Sequence, residues 1–263
     1  MPQIAASSAM TPASVPSAIE FRDVELRLPN GRTLLSKLNL TVPLGETLVL
    51  LGRSGSGKTT SLKLVNRLLT PTSGAVLIDN RDSREWEPIR LRRGIGYAIQ
   101  DVGLFPHYNV RQNVALVPKL EGWQRSRVNA RVEEVLSLVG LPARDFGARY
   151  PNELSGGQRQ RVGLARAMAA DPPILLMDEP FGALDPLTRA EIQAEFRKLQ
   201  KDMRKTVVFV THDVSEALLL GDRIALMEDG KLRTVGTPES FLRSSDEIAQ
   251  RYVAVYGAAR LPN

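Results

Sequence analysis

Residues 46–59 read ETLVLLGRSGSGKT. The first seven, Glu46 to Gly52, are an apolar run that closes on glycine, the pattern of a strand buried on both faces. The last eight, Gly52 to Thr59, match G-x-x-x-x-G-K-[ST]. In that pattern Gly52, Arg53, Ser54, Gly55, Ser56 and Gly57 let backbone N–H groups turn inward around phosphate oxygens. Lys58 brings a fixed positive charge to the β- and γ-phosphates, and the Thr59 hydroxyl is suited to ligate Mg²⁺, with Thr60 next along. A helix opening near Gly57 aims its positive dipole end at the same anion. A plain Gly/Ser turn has a similar composition, but it has no need of a buried strand before it and a helix after it. The chain is therefore read as a nucleotide-binding protein.

The pattern on either side fits that reading. Upstream, IEFRDVELRL (Ile19 to Leu28) alternates as a strand does, PNG (Pro29 to Gly31) is a turn and LLSKLNLTV (Leu34 to Val42) is a second strand. Downstream, apolar residues recur at helical spacing from Lys58 to Leu69, and PTSG (Pro71 to Gly74) is expected to stop that helix. Strands follow at AVLID (Ala75 to Asp79) and IGYAIQ (Ile95 to Gln100). A block from about Arg111 to Ala170 is helical, with breaks at Pro142 and Pro151 and one helix closing at Gly140. PILLMD (Pro173 to Asp178) and TVVFVT (Thr206 to Thr211) are buried strands. Between them Asp185 is a good N-cap, with Pro186 at the first helical position. EDGKL (Glu228 to Leu232) is an Asp-Gly hairpin, and TPESFLR (Thr237 to Arg243) starts a last helical stretch. Strands alternating with helices argue an α/β fold with a mostly parallel core sheet. The helical block, about 101–170, is expected to be a subdomain inserted between two core strands.

Composition narrows the class. The chain has 263 residues, enough for one large domain with an insertion. No apolar run approaches the roughly 18 residues that span a bilayer. There are no cysteines, which excludes disulfides, thiolate zinc sites and cysteine nucleophiles. The net charge is +6, but the basic residues are scattered, so a solvated surface of mixed sign is the expectation and no nucleic-acid partner is inferred. Residues 1–17 are rich in Ala, Ser and Pro, lack a secretory signal pattern, and are read as a disordered lead-in.

Three further features carry chemistry. Asp178 and Glu179 end the buried run ILLMDEP, at a strand end that lies beside the phosphate loop in this fold type. Asp178 is suited to hold Mg²⁺, directly or through water, and Glu179 to take a proton from an attacking water. A solvated turn is the plain alternative for this pair. Of the two histidines, His212 also follows a buried strand, from where an imidazole can donate to a γ-phosphate; His107, in GLFPHYNV, has no such placement and is read as structural or partner-facing. Finally, ELSGGQRQR (Glu153 to Arg161) places a serine and two glycines before a helix-like run, as a phosphate-cradling loop does. It has no lysine to match Lys58, so it is not expected to hold a nucleotide alone.

Taken together these residues resemble the ATP-binding cassette family, the ATPase subunits of ABC transporters, over roughly Ile19 to Leu242. The combination carries the resemblance: Gly52 to Thr59, Gln100, LSGGQ at Leu154 to Gln158, LLMDEP at Leu175 to Pro180, ALD at Ala183 to Asp185, and His212, in this order. It implies a P-loop NTPase core with an N-terminal antiparallel β subdomain and the inserted helical subdomain. It implies ATP and Mg²⁺ as cofactors, with Thr59, Gln100 and Asp178 around the metal and Glu179, Gln100 and His212 as the catalytic set. It also implies that Ser155, Gly156, Gly157 and Gln158 close on an ATP held by a second ATPase subunit, most simply an identical one, with Asp185 in the loop that crosses to it. Membrane permease subunits and a substrate-binding protein are the further partners, and the chain is expected at the cytoplasmic face of the inner membrane as a peripheral subunit.

NRLLTPTSG, GLFPH, NVALVPKL and EPFGALDPLTR look most like the branch that imports osmoprotectants and other quaternary amines, such as glycine betaine and choline. An amino acid or a sulfonate is the alternative cargo, and a non-transport cassette ATPase or a nucleotide-binding regulator without turnover the more distant readings. One departure stands out. Family members usually stack an aromatic ring on adenine from the first strand, and that position is Leu28 here. Some relatives carry a paired regulatory domain after the ATPase; residues 244–263 are expected to form only a short helical tail.

Overall fold

The computed structural model describes residues 16–100, 102–203 and 205–258. Most of the lead-in, 1–15, lies outside them, and Ser17 already opens the first strand. β1 (Ser17–Arg27) and β2 (Thr33–Pro43) pair antiparallel, with the alternating burial that one solvated face requires. β3 (Thr47–Leu51) is buried at every position and leads through the glycine-rich loop into α1 (Lys58–Val65).

α1 ends four residues before the expected Leu69. Asn66 caps it, Arg67 turns left-handed at φ 53°, and the N–H groups of Leu68 and Leu69 both return to the Lys63 carbonyl. The Asn66 side chain accepts from Leu68 N–H, so a local polar turn wins over the apolar periodicity that continues through Leu68 and Leu69. Nor is PTSG the stop: Ser73 and Gly74 already belong to β4 (Ser73–Ile78), which pairs with β1 and with β5 (Arg81–Asp82). Gly74 is needed there because a Cβ would strike the Arg22 and Asp23 backbone.

A helix unmarked in the sequence reading, α2 (Pro88–Arg93), precedes β6 (Ile95–Ala98). The chain then runs through α3 (Val110–Leu120), α4 (Arg125–Leu138), α5 (Ala143–Phe146) and α6 (Gly156–Met168) before returning to the sheet. β7 (Ile174–Asp178), α7 (Pro186–Met203), β8 (Thr206–Thr211), α8 (Val214–Leu220), β9 (Arg223–Glu228) and β10 (Lys231–Gly236) follow in the expected alternation. Asp229 and Gly230 both have positive φ, as the β9–β10 hairpin turn demands. α9 (Pro238–Leu242) and α10 (Glu247–Ala258) close the described chain.

There are two sheets. β2-β1-β4-β5 is antiparallel; β10-β9-β3-β8-β7-β6 is parallel except for β10. The period-two alternation of the central strands sends each face into a different core. Val49, Leu51, Leu175, Met177, Val207 and Phe209 face a core shared with α3, α4 and α6. Leu48, Leu50, Ile174, Leu176, Val208 and Val210 face one shared with α1 and the antiparallel sheet. This double covering explains why these strands read as unbroken apolar runs.

Candidate nucleotide site

In the parallel sheet β3, β8 and β7 are neighbours, and β6 lies beyond β7. Their carboxyl ends therefore open along one edge, where open α/β sheets bind ligands. Gly52 to Thr59 leaves β3, Asp178 and Glu179 end β7, His212 follows β8 and Gln100 follows β6. The sheet order thus gathers residues that are widely separated in sequence.

The loop geometry depends on its glycines. Gly57 precedes α1 at φ 100°, and a Cβ there would come within 2.6 Å of the Leu35 side chain. Gly52 passes so close to the Met227 carbonyl that a Cβ would not fit. Arg53, Ser54 and Gly55 are exposed, while Thr59 and Thr60 are half-buried at the start of α1. Lys58 is buried, and its ammonium donates to the Gly52 and Arg53 carbonyls at 2.7 and 2.8 Å. Burial pushes its pKa down, against the attraction of Glu179 and Asp178.

Thr59 Oγ1 donates to Asp178 Oδ1 at 2.9 Å. Burial raises the Asp178 carboxyl above its ordinary range, and the Thr59 hydrogen bond partly opposes that. Next to it, the Glu179 carboxylate is the meeting point of the site. Gln100 Nε2 donates to Oε2 at 3.3 Å, and His212 Nδ1 lies 3.4 Å from Oε1. The His212 loop is held from below, since buried Glu216 accepts from Thr211 Oγ1 at 2.6 Å and from Gln193 Nε2 at 2.9 Å. Burial raises the Glu216 carboxyl as well. Phosphate loop, Asp178, Glu179, Gln100 and His212 are all brought together.

The signature segment, LSGGQ at Leu154 to Gln158, is not joined to them. Among the described residues no hydrogen bond joins residues 154–158 to the phosphate loop. Ser155 caps α6 through a capping box with Gln158: its Oγ accepts from Gln158 N–H, and Gln158 Oε1 accepts from Ser155 N–H. Gly156 is exposed and open, and Gly157 packs against Ala183 and Leu184. Asp185 is exposed and caps α7 by accepting from Thr188 N–H at 3.0 Å, which holds its carboxyl below the usual range. Leu28 is half-buried and closes the β1–β2 turn with Arg32. His107 is exposed among the rings of Phe105 and Tyr108, away from the site.

Sequence reasoning missed the residues that support this machinery. Gln160, on α6, contacts the backbone of residues 179 and 183, and Arg166 donates to the Val102 and Gly103 carbonyls beyond Gln100. The available signal was a polar side chain one helical turn below the glycines, on the apolar face. α10 lies near the phosphate loop, and Ile248, Tyr252 and Val255 line a cavity of about 590 Å³ with Arg53 and His212.

A phosphate loop at the edge of a parallel sheet, with a carboxylate pair on the neighbouring strand, defines a P-loop nucleotide-binding protein. The chain belongs to the ABC transporter family, whose model matches residues 35–182. It is 46% identical over 236 residues to the choline transport ATP-binding protein OpuBA of Bacillus subtilis, covering 89% of this chain and 62% of that one. It is 50% identical over 220 residues to the osmoprotectant import ATP-binding protein OsmV of Salmonella typhimurium, covering 83% and 58%. The chain thus spans about 60% of the length of these curated relatives. Among solved structures, a dimeric ATP-binding cassette in a post-hydrolysis state, bound to ADP and Pi, superposes with a TM-score of 0.78 at 35% identity, over 84% of this chain and 98% of that one.

Proposed function

We propose that this chain is the ATP-hydrolysing subunit of an importer, working as a head-to-tail pair that drives a separate membrane permease. The observation that carries the proposal is the Glu179 carboxylate, held between Gln100 and His212 beside the Thr59–Asp178 pair. In this reading the loop N–H groups and Lys58 bind the phosphates. Glu179 takes a proton from the attacking water as its oxygen bonds to the γ-phosphorus and the bond to the ADP oxygen breaks. His212 and Gln100 orient that water and the γ-phosphate.

Thr59 Oγ1 and Asp178 Oδ1 offer two oxygen donors to a Mg²⁺ ion. Among the described residues no group of three or more His, Asp or Glu side chains could hold a metal unaided. That fits an ion whose remaining positions come from water and substrate phosphates, and bound there it would neutralise charge on the transferred phosphoryl group.

Ser155 and Gly156, exposed at the N-terminus of a 13-residue helix with half-buried Gly157 beside them, have no hydrogen bond to their own phosphate loop among the described residues and are suited to close on the γ-phosphate held by a second subunit. Asp185 borders that surface. No helix of the described residues is long and apolar enough to cross a membrane, so membrane attachment is assigned to the permease, at its cytoplasmic face. The cargo proposed is a quaternary-amine osmoprotectant such as glycine betaine or choline, delivered by a binding protein, as the relatives' names suggest.

Glu179→Gln tests the chemistry. Hydrolysis should fall at least a hundredfold while ATP affinity, measured by equilibrium binding, stays within twofold. Turnover close to the parent's would remove Glu179 as the base. Assembled with its permease, the parent should hydrolyse ATP faster when the binding protein is loaded with glycine betaine or choline; no stimulation by either would sink the cargo assignment.

A further inference from the structure

Gln160 sits in the first turns of α6, 6% exposed, where an uncharged polar side chain needs partners on both ends of its amide. It has them. Nε2 donates to the Glu179 carbonyl at 2.8 Å, and Oε1 accepts from Ala183 N–H at 3.0 Å. One amide therefore spans the turn that leaves β7, from the carboxylate residue to the segment leading to Asp185. The Glu179 peptide is fixed on its other side too: its N–H donates to the Val210 carbonyl at 3.0 Å, and its carbonyl also accepts from Gly182 N–H at 3.2 Å. These bonds hold a non-glycine residue at φ 48°, a conformation that persists only where the surroundings impose it.

The same helix turn presents the signature. Gly157, one turn before Gln160, packs so close to Ala183 and Leu184 that a Cβ would lie 3.1 Å from the Leu184 side chain. The N-terminus of α6 and the 179–183 turn are therefore tied by direct contacts. In the head-to-tail reading, the helix end that would face the partner's ATP is bonded to the backbone that carries Glu179.

The geometry points to Gln160 as a positioning residue that orients the Glu179 carboxylate and couples it to closure of the signature segment on the opposite nucleotide. This rests on the head-to-tail reading above. Gln160 touches neither nucleotide, so losing it should change turnover and cooperativity without changing how a single subunit binds ATP.

The test compares the full-length parent with Gln160→Met, which keeps the volume and loses both hydrogen bonds, and Gln160→Glu, which keeps the acceptor for Ala183 N–H and loses the donor to Glu179. ATP affinity of the isolated subunit, ATPase rate against ATP and protein concentration, and melting temperature are measured for each. For Gln160→Met the expected result is a kcat lowered tenfold or more, a Hill coefficient for ATP falling from near two towards one, and subunit ATP affinity within twofold. Gln160→Glu should recover part of the cooperativity, since one anchor remains. The inference is overturned by a kcat within twofold of the parent together with a Hill coefficient that stays near two, or by losses matched by an equal loss of ATP affinity, which would mark a merely structural role. A parent that hydrolyses ATP without cooperativity and independently of protein concentration would instead overturn the head-to-tail reading, and this inference with it.

Discussion

Asp178 has opposing demands placed on it. It ends a strand buried along its whole length, yet its carboxylate must meet Thr59. Burial raises its folded-state pKa above the ordinary 3.8, so between those two values the folded chain holds a proton that the unfolded chain has released. Stability from this group is therefore present at acid pH and lost as pH rises through the folded pKa. Asp178→Asn keeps an acceptor for the Thr59 hydroxyl and removes the charge. Thermal melts without nucleotide should show a gain of about 2 °C at pH 7.5, shrinking as pH falls towards 4. A lower melting temperature at pH 7.5 would contradict this. Mg²⁺-dependent hydrolysis should meanwhile fall at least tenfold. Those two outcomes together would set stability against chemistry at this residue.

At the scale of elements, α6 holds two loops at once. Gln160 anchors the 179–183 turn near its start. Further along, Gly163 lets Val102 approach so closely that a Cβ would lie 2.6 Å away, and Arg166 donates to the Gly103 and Val102 carbonyls at 2.8 and 2.6 Å. Arg166 is half-buried, and burial lowers its pKa. Arg166→Met should cost about 2 kcal/mol, the scale of losing hydrogen bonds from a charged donor, read as a lower urea midpoint with unchanged slope. Because Val102 and Gly103 lie just beyond Gln100, hydrolysis should fall several-fold more than ATP affinity does. A midpoint within experimental error of the parent's would show that the contact contributes nothing.

Under the proposed head-to-tail pairing, the described residues present one assembled half-site and one unassembled one. Phosphate loop, Asp178, Glu179, Gln100 and His212 converge within the chain, whereas Ser155 to Gln158 has no hydrogen bond to the loop among the described residues. In a Glu179→Gln background, where hydrolysis should be blocked, ATP should double the mass seen by sedimentation. Adding Ser155→Arg should return it to the mass of a single chain while leaving subunit ATP affinity within twofold. A persistent dimer would place the signature away from the interface.

Much of this was legible along the chain. The buried strands β3, β7 and β8, the phosphate loop, the Asp185 cap and the Asp-Gly hairpin each depend on residue type and spacing over a few neighbouring positions, and local sterics and periodicity suffice to read them. Other features needed the tertiary structure. α1 stops at Val65 because of the turn set by Asn66 and Arg67, and α2 is too short to show a period. Gln100 meets Glu179 across 79 residues, and Gln160 reaches it across 19. The sequence by itself determined which residues could handle phosphate and protons. Only the strand order β9-β3-β8-β7-β6 decided that they share one edge, because which strands lie side by side is settled by packing two apolar faces into two separate cores.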